Sequence, residues 1–357
     1  MEPPPLVKVP RMRVLLTGHH GYIGSITSRV LREAGHDVVG LDTFFYEGCD
    51  LYPDDGGSEA LRRDVRDVGA GDLHGFDAVV HLAALSNDPL GALSPELTIA
   101  INCDASVALA RAAREAGVGR FVFASSCSMY GTAGADRAVD EEAPLAPLTA
   151  YAESKVRAEA GLAELADDSF SPVFMRNATA YGASPRHRLD IVLNNLVGSA
   201  VTTGEVRILS DGTPWRPLVH VEDIARATAA ILEAPRTAVH AEAFNVGSER
   251  DNYQVSELAE IVAEEVDGCT IAYAGSGDPD PRSYRVDFGK LESALPELEL
   301  RWDARRGAAE LRDAYRRAGL TFADFEGSRF NRLGRLKGLL AEGALDEKLR
   351  RREVARA

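Results

Sequence analysis

A chain of 357 residues, 45% apolar and 27% charged, is long enough for one large or two modest domains, each with its own core. Its net charge of −15 argues against nucleic acid or an anionic membrane as the main partner. Anionic small molecules stay open, because local arginines can meet them.

Residues 1–10, with Pro3, Pro4, Pro5 and Pro10, read as a loose lead-in. MRVLLT (12–17) is the first strand candidate, followed by GHHGYIG and a helical stretch from Ser25 to Glu33. HDVVGLD (36–42) is a second strand ending in an acid, FDAVVHLAAL (76–85) a third and RFVFASS (120–126) a fourth. Between the last two, the spacing predicts one long helix ending at Gly117. Near-continuous apolar strands alternating with amphipathic helices predict an α/β fold, a doubly wound parallel sheet covered on both faces.

After Arg176 the alternation becomes irregular. Segment 182–217 is rich in Gly, Pro, Arg and Asn and carries one helix, roughly 189–202. VHVEDIARATAAILEA (219–234) returns to strand then helix, and AFNVG (243–247) reads as one more strand. The expected organisation is a Rossmann domain from 11–178 and 219–247 and a second, smaller α+β lobe from 179–218 and 248–320. A helical C-terminal extension covers 321–357, amphipathic and locally basic, read as a surface helix packed on the body. Cys49, Cys103, Cys127 and Cys269 show no paired spacing and no histidines at metal-ligand intervals. Unpaired thiols, no apolar run of the ~18–20 residues that span a membrane and no leader-like start predict a cytoplasmic protein.

In Thr17-Gly-His-His-Gly-Tyr-Ile-Gly24, glycines stand at 18, 21 and 24, between a strand and a helix. Glycine lets the backbone approach a pyrophosphate, whose charge then sits at the helix N-terminus. Asp42 ends the second strand, 18 residues after Gly24. A carboxylate there accepts from a ribose 2′-hydroxyl and repels a 2′-phosphate, which favours NAD over NADP. Tyr151 and Lys155, at i and i+4, share a helix face. An ammonium beside a phenol draws its pKa from about 10 towards neutrality, so the phenolate can take a proton from an alcohol as hydride leaves carbon. Ser126, ending a neighbouring strand, can hydrogen-bond the same hydroxyl.

TGHHGYIG, Asp42, Arg63-Asp64-Val65-Arg66-Asp67, HLAAL, Asn102, SSCSMYG and YAESK together resemble the extended short-chain dehydrogenase/reductases, in the subset of NAD-dependent nucleotide-sugar epimerases and dehydratases. The resemblance runs from about residue 12 to 315 and includes Arg216 in WRPLVHVED. It implies that Tyr22 and Ile23 offer backbone N–H groups to the pyrophosphate and that Asp64 and Val65 hold the adenine. Leu82, Ala83, Ala84, Ser86 and Ala178 would line the cofactor cleft, with Asn102 nearby. Tyr151 and Lys155 would serve the reactive hydroxyl and the nicotinamide ribose, helped by Ser126. On the substrate side it implies Ser126, Thr179, Arg188 and Leu189, with Arg216 and Arg282 gripping the diphosphate of a nucleotide sugar, as guanidinium forks suit phosphate oxygens. It further implies NAD as cofactor, a nucleotide diphosphate sugar as substrate, a homodimer, and no metal.

The chain departs from the family's pattern in places. Thr179 stands where the family often has Asn three residues after the arginine of its sixth strand, and Asn177 follows Arg176 directly. The two slots after Ser126 hold Cys127 and Ser128 where 4,6-dehydratases of the family carry Asp-Glu. Elimination of water by the usual route is therefore not expected. Relatives that epimerise C3 and C5 use a cysteine in the slot of Ser128, so Cys127 is one residue off. A buried packing role and a substrate-facing acid or base both remain open for it. The expected activity is epimerisation through a keto sugar, oxidised at C4. An atypical dehydratase or keto-sugar reductase is the alternative, and a non-catalytic NAD-binding protein a second one.

Overall fold

Residues 10–54, 57, 59–132, 137–273 and 283–352 are described by a computed structural model. The apolar runs form strands close to their predicted places. In chain order these are β1 (Arg13–Thr17), β2 (Asp37–Asp42), β3 (Glu59–Arg62), β4 (Ala78–His81), β5 (Arg120–Ser126) and β6 (Ser171–Asn177). There follow β7 (Thr179–Tyr181), β8 (Glu205–Ile208), β9 (Trp215–His220), β10 (Ala243–Val246), β11 (Asn252–Gln254) and β12 (Thr270–Tyr273). Seven of them make one parallel sheet in the order β10-β6-β5-β4-β1-β2-β3. Strand order reverses between β1 and β4, where open α/β sheets take their ligands beyond the strand C-termini.

Period-2 alternation splits the core between the two faces of this sheet. Val14, Leu16, Val80 and Val122 pack on one side, and Leu15, Val79, Phe121 and Phe123 on the other. Smaller sheets lie outside it, β11-β9-β7 and β12-β8. Around them Tyr181, Leu193, Val206, Leu258 and Leu311 form a separate apolar cluster. The strand expected within 219–234 belongs here and not in the large sheet: β9 pairs parallel with β7 and antiparallel with β11. The helix that follows it, Val221–Glu233, returns to the main body, where Val221 and Ala225 pack against Tyr22 and Ile26.

The single long helix expected before Gly117 is broken into three parts. An α-helical turn, Pro95–Ile99, runs into a π-helical turn, Ala100–Asp104, and then the helix Ala105–Glu115. The side chain of Asn102 is the reason. It accepts from Leu85 N at 2.8 Å, and its amide nitrogen donates to Leu85 O and Ser154 Oγ at 3.1 Å. A π-turn supplies the extra residue that aims this side chain at the loop after β4.

Candidate active site

One cleft of about 650 Å³ opens over the C-terminal ends of β1, β4, β5 and β6. The glycine loop forms its floor. Gly18 has φ +73°, a conformation that costs glycine little. At Gly24 a Cβ would lie 2.0 Å from Gly18 O, so the helix Tyr22–Glu33 can start this close to β1 only without a side chain there. Gly21, Tyr22 and Ile23 also line the cleft. The backbone N–H groups of this helix start are therefore presented to an anion, as a dinucleotide pyrophosphate requires.

Asp42 ends β2 at the rim of the same cleft. Its carboxylate accepts from Phe44 N at 2.7 Å and His20 N at 3.1 Å. Burial pushes its pKa up against these bonds. Its free lone pairs suit neutral hydroxyl donors, as on a ribose, and not a second anion. Asp64 and Val65 lie on the neighbouring wall. Burial pulls Asp64 upward, but its 2.6 Å ion pair with Arg66 prevails and holds it below the usual range. Leu82, Ala83, Ala84, Ser86 and Ala178 complete the lining expected for the cofactor. Asn102 does not reach the cleft. It stands behind the wall and fixes Leu85, which makes it a positioning residue.

The helix Ala150–Ala163 carries Tyr151 and Lys155, the pair expected to be catalytic. Thr149 caps it, accepting from Ala152 N at 3.1 Å, and Thr149 Oγ1 donates to Asp88 at 2.6 Å. Tyr151, Lys155 and Ser126 all line the cleft. The expectation of a phenol drawn towards neutrality is not met. Burial pushes Tyr151 up to about 12, and the hydrogen bond from Ser126 only moderates this. Burial also pushes Lys155 down to about 7. Its Nζ donates to Ala124 O at 2.6 Å and lies 5.9 Å from the Tyr151 ring centre. Desolvation outweighs the charge effect that sequence reasoning relied on.

Of the residues expected to bind substrate, Thr179, Arg188 and Arg216 line the cleft. Arg188 donates to Asp190 at 2.8 Å and to Ser86 Oγ at 3.4 Å. Arg216 Nη1 donates to Trp215 O at 2.8 Å. Leu189 does not join them. Its side chain packs in the second apolar cluster, and its N–H donates to Phe330 O at 2.9 Å. Arg282 lies outside the described residues.

Cys127 is fully buried, with Sγ 3.0 Å from Arg176 O, and burial pushes the thiol well up. β5 ends at Ser126, so Cys127 is not a strand residue but begins a 3-10 turn, Cys127–Tyr130. That turn sends Cys127 inward, while Ser128 lines the cleft, its Oγ accepting from Ser126 Oγ at 3.0 Å.

Two further residues were not foreseen as site residues. Asn177 lines the cleft, and its buried Oδ1 has no hydrogen-bond partner among the described residues. The displaced asparagine after Arg176 was the signal. Arg332 also lines it, from the C-terminal extension, where the pattern of the chain gives no hint of a site.

A family profile described as the NAD dependent epimerase/dehydratase family matches residues 14–247. A UDP-glucose 4-epimerase of Corynebacterium glutamicum is 31% identical over 287 residues, covering 75% of this chain and 85% of that protein. A UDP-glucose 4-epimerase of Bacillus subtilis is 28% identical over 336 residues, 84% of this chain and 94% of the other. Among solved structures, MoeE5 in complex with UDP-glucuronic acid and NAD superposes with a TM-score of 0.73 at 30% identity, over 86% of this chain and 99% of that one.

Proposed function

Since the chain belongs to the NAD dependent epimerase/dehydratase family and its cofactor is NAD, we propose that it inverts C4 of a nucleotide diphosphate sugar through a keto-sugar intermediate. NAD supplies a reversible hydride acceptor when bound. Tyr151 takes the proton of the sugar hydroxyl as the carbon is oxidised, and returns it after the sugar has turned its other face. Ser126 hydrogen-bonds the same hydroxyl and favours the ionised phenol. Lys155, whose pKa of about 7 keeps a share of ammonium at neutral pH, supplies the positive charge beside them. Arg216 and Arg188 serve the diphosphate, and Asn177 Oδ1 and Thr179 are the acceptors nearest to hand for the sugar.

The observation that carries this reading is the fate of the two positions after Ser126. Cys127 faces the core with a raised pKa, and Ser128 is no base at neutral pH. The carboxylates of the described lining have other work: Asp42 and Asp64 at the adenosine end, Asp190 on Arg188, and Asp88 accepting from Thr149. Elimination of water thus lacks its acid and base, while oxidation and return need only the Tyr151 set. The names of the relatives support the same reading. Incubation with a panel of nucleotide sugars, read by mass and NMR, tests it. Unchanged mass with an inverted C4 is expected, and loss of water would overturn it.

The same proposal carries a homodimer in the reducing cytoplasm. The free thiols Cys49, Cys103, Cys127 and Cys269 support the compartment, and the family resemblance supports the assembly. Among the described residues no helix is long and apolar enough to cross a membrane.

A further inference from the structure

The family profile ends at residue 247, and the C-terminal extension is far beyond it. Asn331 caps the helix Arg332–Ala341 by accepting from Gly334 N at 2.9 Å. The first residue of that helix turns inward. Arg332 is 2% exposed and lines the cleft. Its Nη2 donates to Arg186 O at 2.7 Å, its backbone N to Asp190 Oδ2 at 3.3 Å, and its guanidinium lies 4.1 Å from the Tyr46 ring centre. Nη1 is buried and has no hydrogen-bond partner among the described residues. The nearby carboxylate of Asp190 is already held by Arg188 and by Asn87 Nδ2 at 3.0 Å. A buried guanidinium that shares its nearest carboxylate with Arg188 is costly, and an anion brought into the cleft lowers that cost.

The rest of the extension packs on the cofactor side of the cleft. Arg335 reaches Phe45 O at 3.4 Å, and Arg351 reaches Thr43 O at 2.7 Å, both on the segment directly after Asp42. Arg350 pairs with Asp64 at 3.5 Å, and Arg66 donates to Lys348 O at 2.8 Å. Leu336, Leu339, Leu345 and Leu349 share one apolar cluster with Phe45 and Leu85. The extension therefore covers the two segments, after β2 and after β3, that belong to the adenosine half of the cofactor site. Asp42 itself feels the charge of Arg332.

We propose that the C-terminal extension is a clasp over NAD, and that Arg332 is a direct ligand of the cofactor's diphosphate through Nη1, so that the cofactor leaves slowly. This stands whichever sugar is turned over.

Binding of ADP and of adenosine to the protein stripped of NAD, together with release of labelled NAD from the loaded protein into unlabelled excess, tests the proposal. Arg332→Gln should weaken ADP by about 10-fold or more, leave adenosine unchanged and speed NAD release by a similar factor. Arg335→Ala with Arg351→Ala, which loosens only the clasp, should also speed release. A folded Arg332→Gln variant with unchanged ADP affinity overturns the proposal, as does equal loss of ADP and adenosine. If Arg332→Gln does not fold, Arg332→Lys decides: it keeps the charge but loses the fork, and unchanged ADP affinity and NAD release would overturn the assignment. Weakened binding of uridine diphosphate with ADP binding intact would place the guanidinium on the substrate and overturn it as well.

Discussion

Lys155 and Tyr151 share a helix face, yet the ammonium is turned to Ala124 O at 2.6 Å and lies 5.9 Å from the phenol ring centre. Burial disfavours the charged form of both side chains, drawing the lysine down to about 7 and the tyrosine up to about 12. The native lysine thus binds fewer protons than the unfolded one between about 7 and its ordinary 10.5. Its burial costs stability most at and below pH 7, and the cost fades as pH rises through that window. In protein stripped of NAD, Lys155→Met should therefore raise stability at pH 6.5 by ~1 kcal/mol or more. The gain should vanish near pH 10.5, while turnover is lost. Melting curves at the two pH values check this, and a variant less stable at pH 6.5 would contradict it.

Tyr151→Phe should cut turnover by roughly 10²–10⁴-fold while NAD still binds, because the phenol moves the proton and does not build the cleft. Ser126→Ala removes the bond that holds the phenol pKa down, so the acid limb of the rate profile should move to higher pH. Rate against pH for both variants gives the answer. An unmoved limb in Ser126→Ala would detach that serine from the proton transfer.

Asp42 should select the cofactor. Asp42→Ser loses an acceptor for ribose hydroxyls and a charge that repels a 2′-phosphate, so NAD should bind about 10-fold or more weakly and NADP better. Calorimetric titration of both dinucleotides is the check. Tighter binding of NADP than of NAD by the unaltered protein would refute the assignment.

Cys127→Ala should keep most activity and lose ~1–2 kcal/mol of stability, as for a small buried side chain. In D2O no deuterium should enter C3 or C5 of the sugar. Rapid thiol alkylation at Cys127 below pH 8, or deuterium at those carbons, would assign the thiol a chemical role after all.

Arg216→Ala should raise KM for the nucleotide sugar by about 10-fold or more with a smaller effect on kcat, since a charged hydrogen bond to phosphate is lost. Steady-state kinetics at saturating NAD measure the split. Equal turnover of the free sugar by both proteins would remove the diphosphate from the account.

Local features were legible in the sequence. The apolar runs, the glycine loop and the i, i+4 pair each encode their own geometry within a few residues, so β1, Asp42, Tyr151 and Lys155 stood where expected. Features set by depth or by distant partners were not. Whether an ammonium lowers a phenol pKa depends on how far both are desolvated, which spacing does not report. Arg188 and Leu189 are adjacent, but one lines the cleft and the other packs in the core. Asn102 sits in a π-turn and is held by Leu85, 17 positions away. Arg332 meets Tyr46 and Arg186 only through the tertiary fold.

The central claim is that hydride leaves C4 and returns to the same carbon. The direct measurement is turnover of a nucleotide sugar carrying deuterium at C4, with the product read by NMR and mass. The account predicts an inverted C4 that still bears the label, at unchanged mass. Label lost to solvent, or found on another carbon of a product lighter by one water, would contradict it.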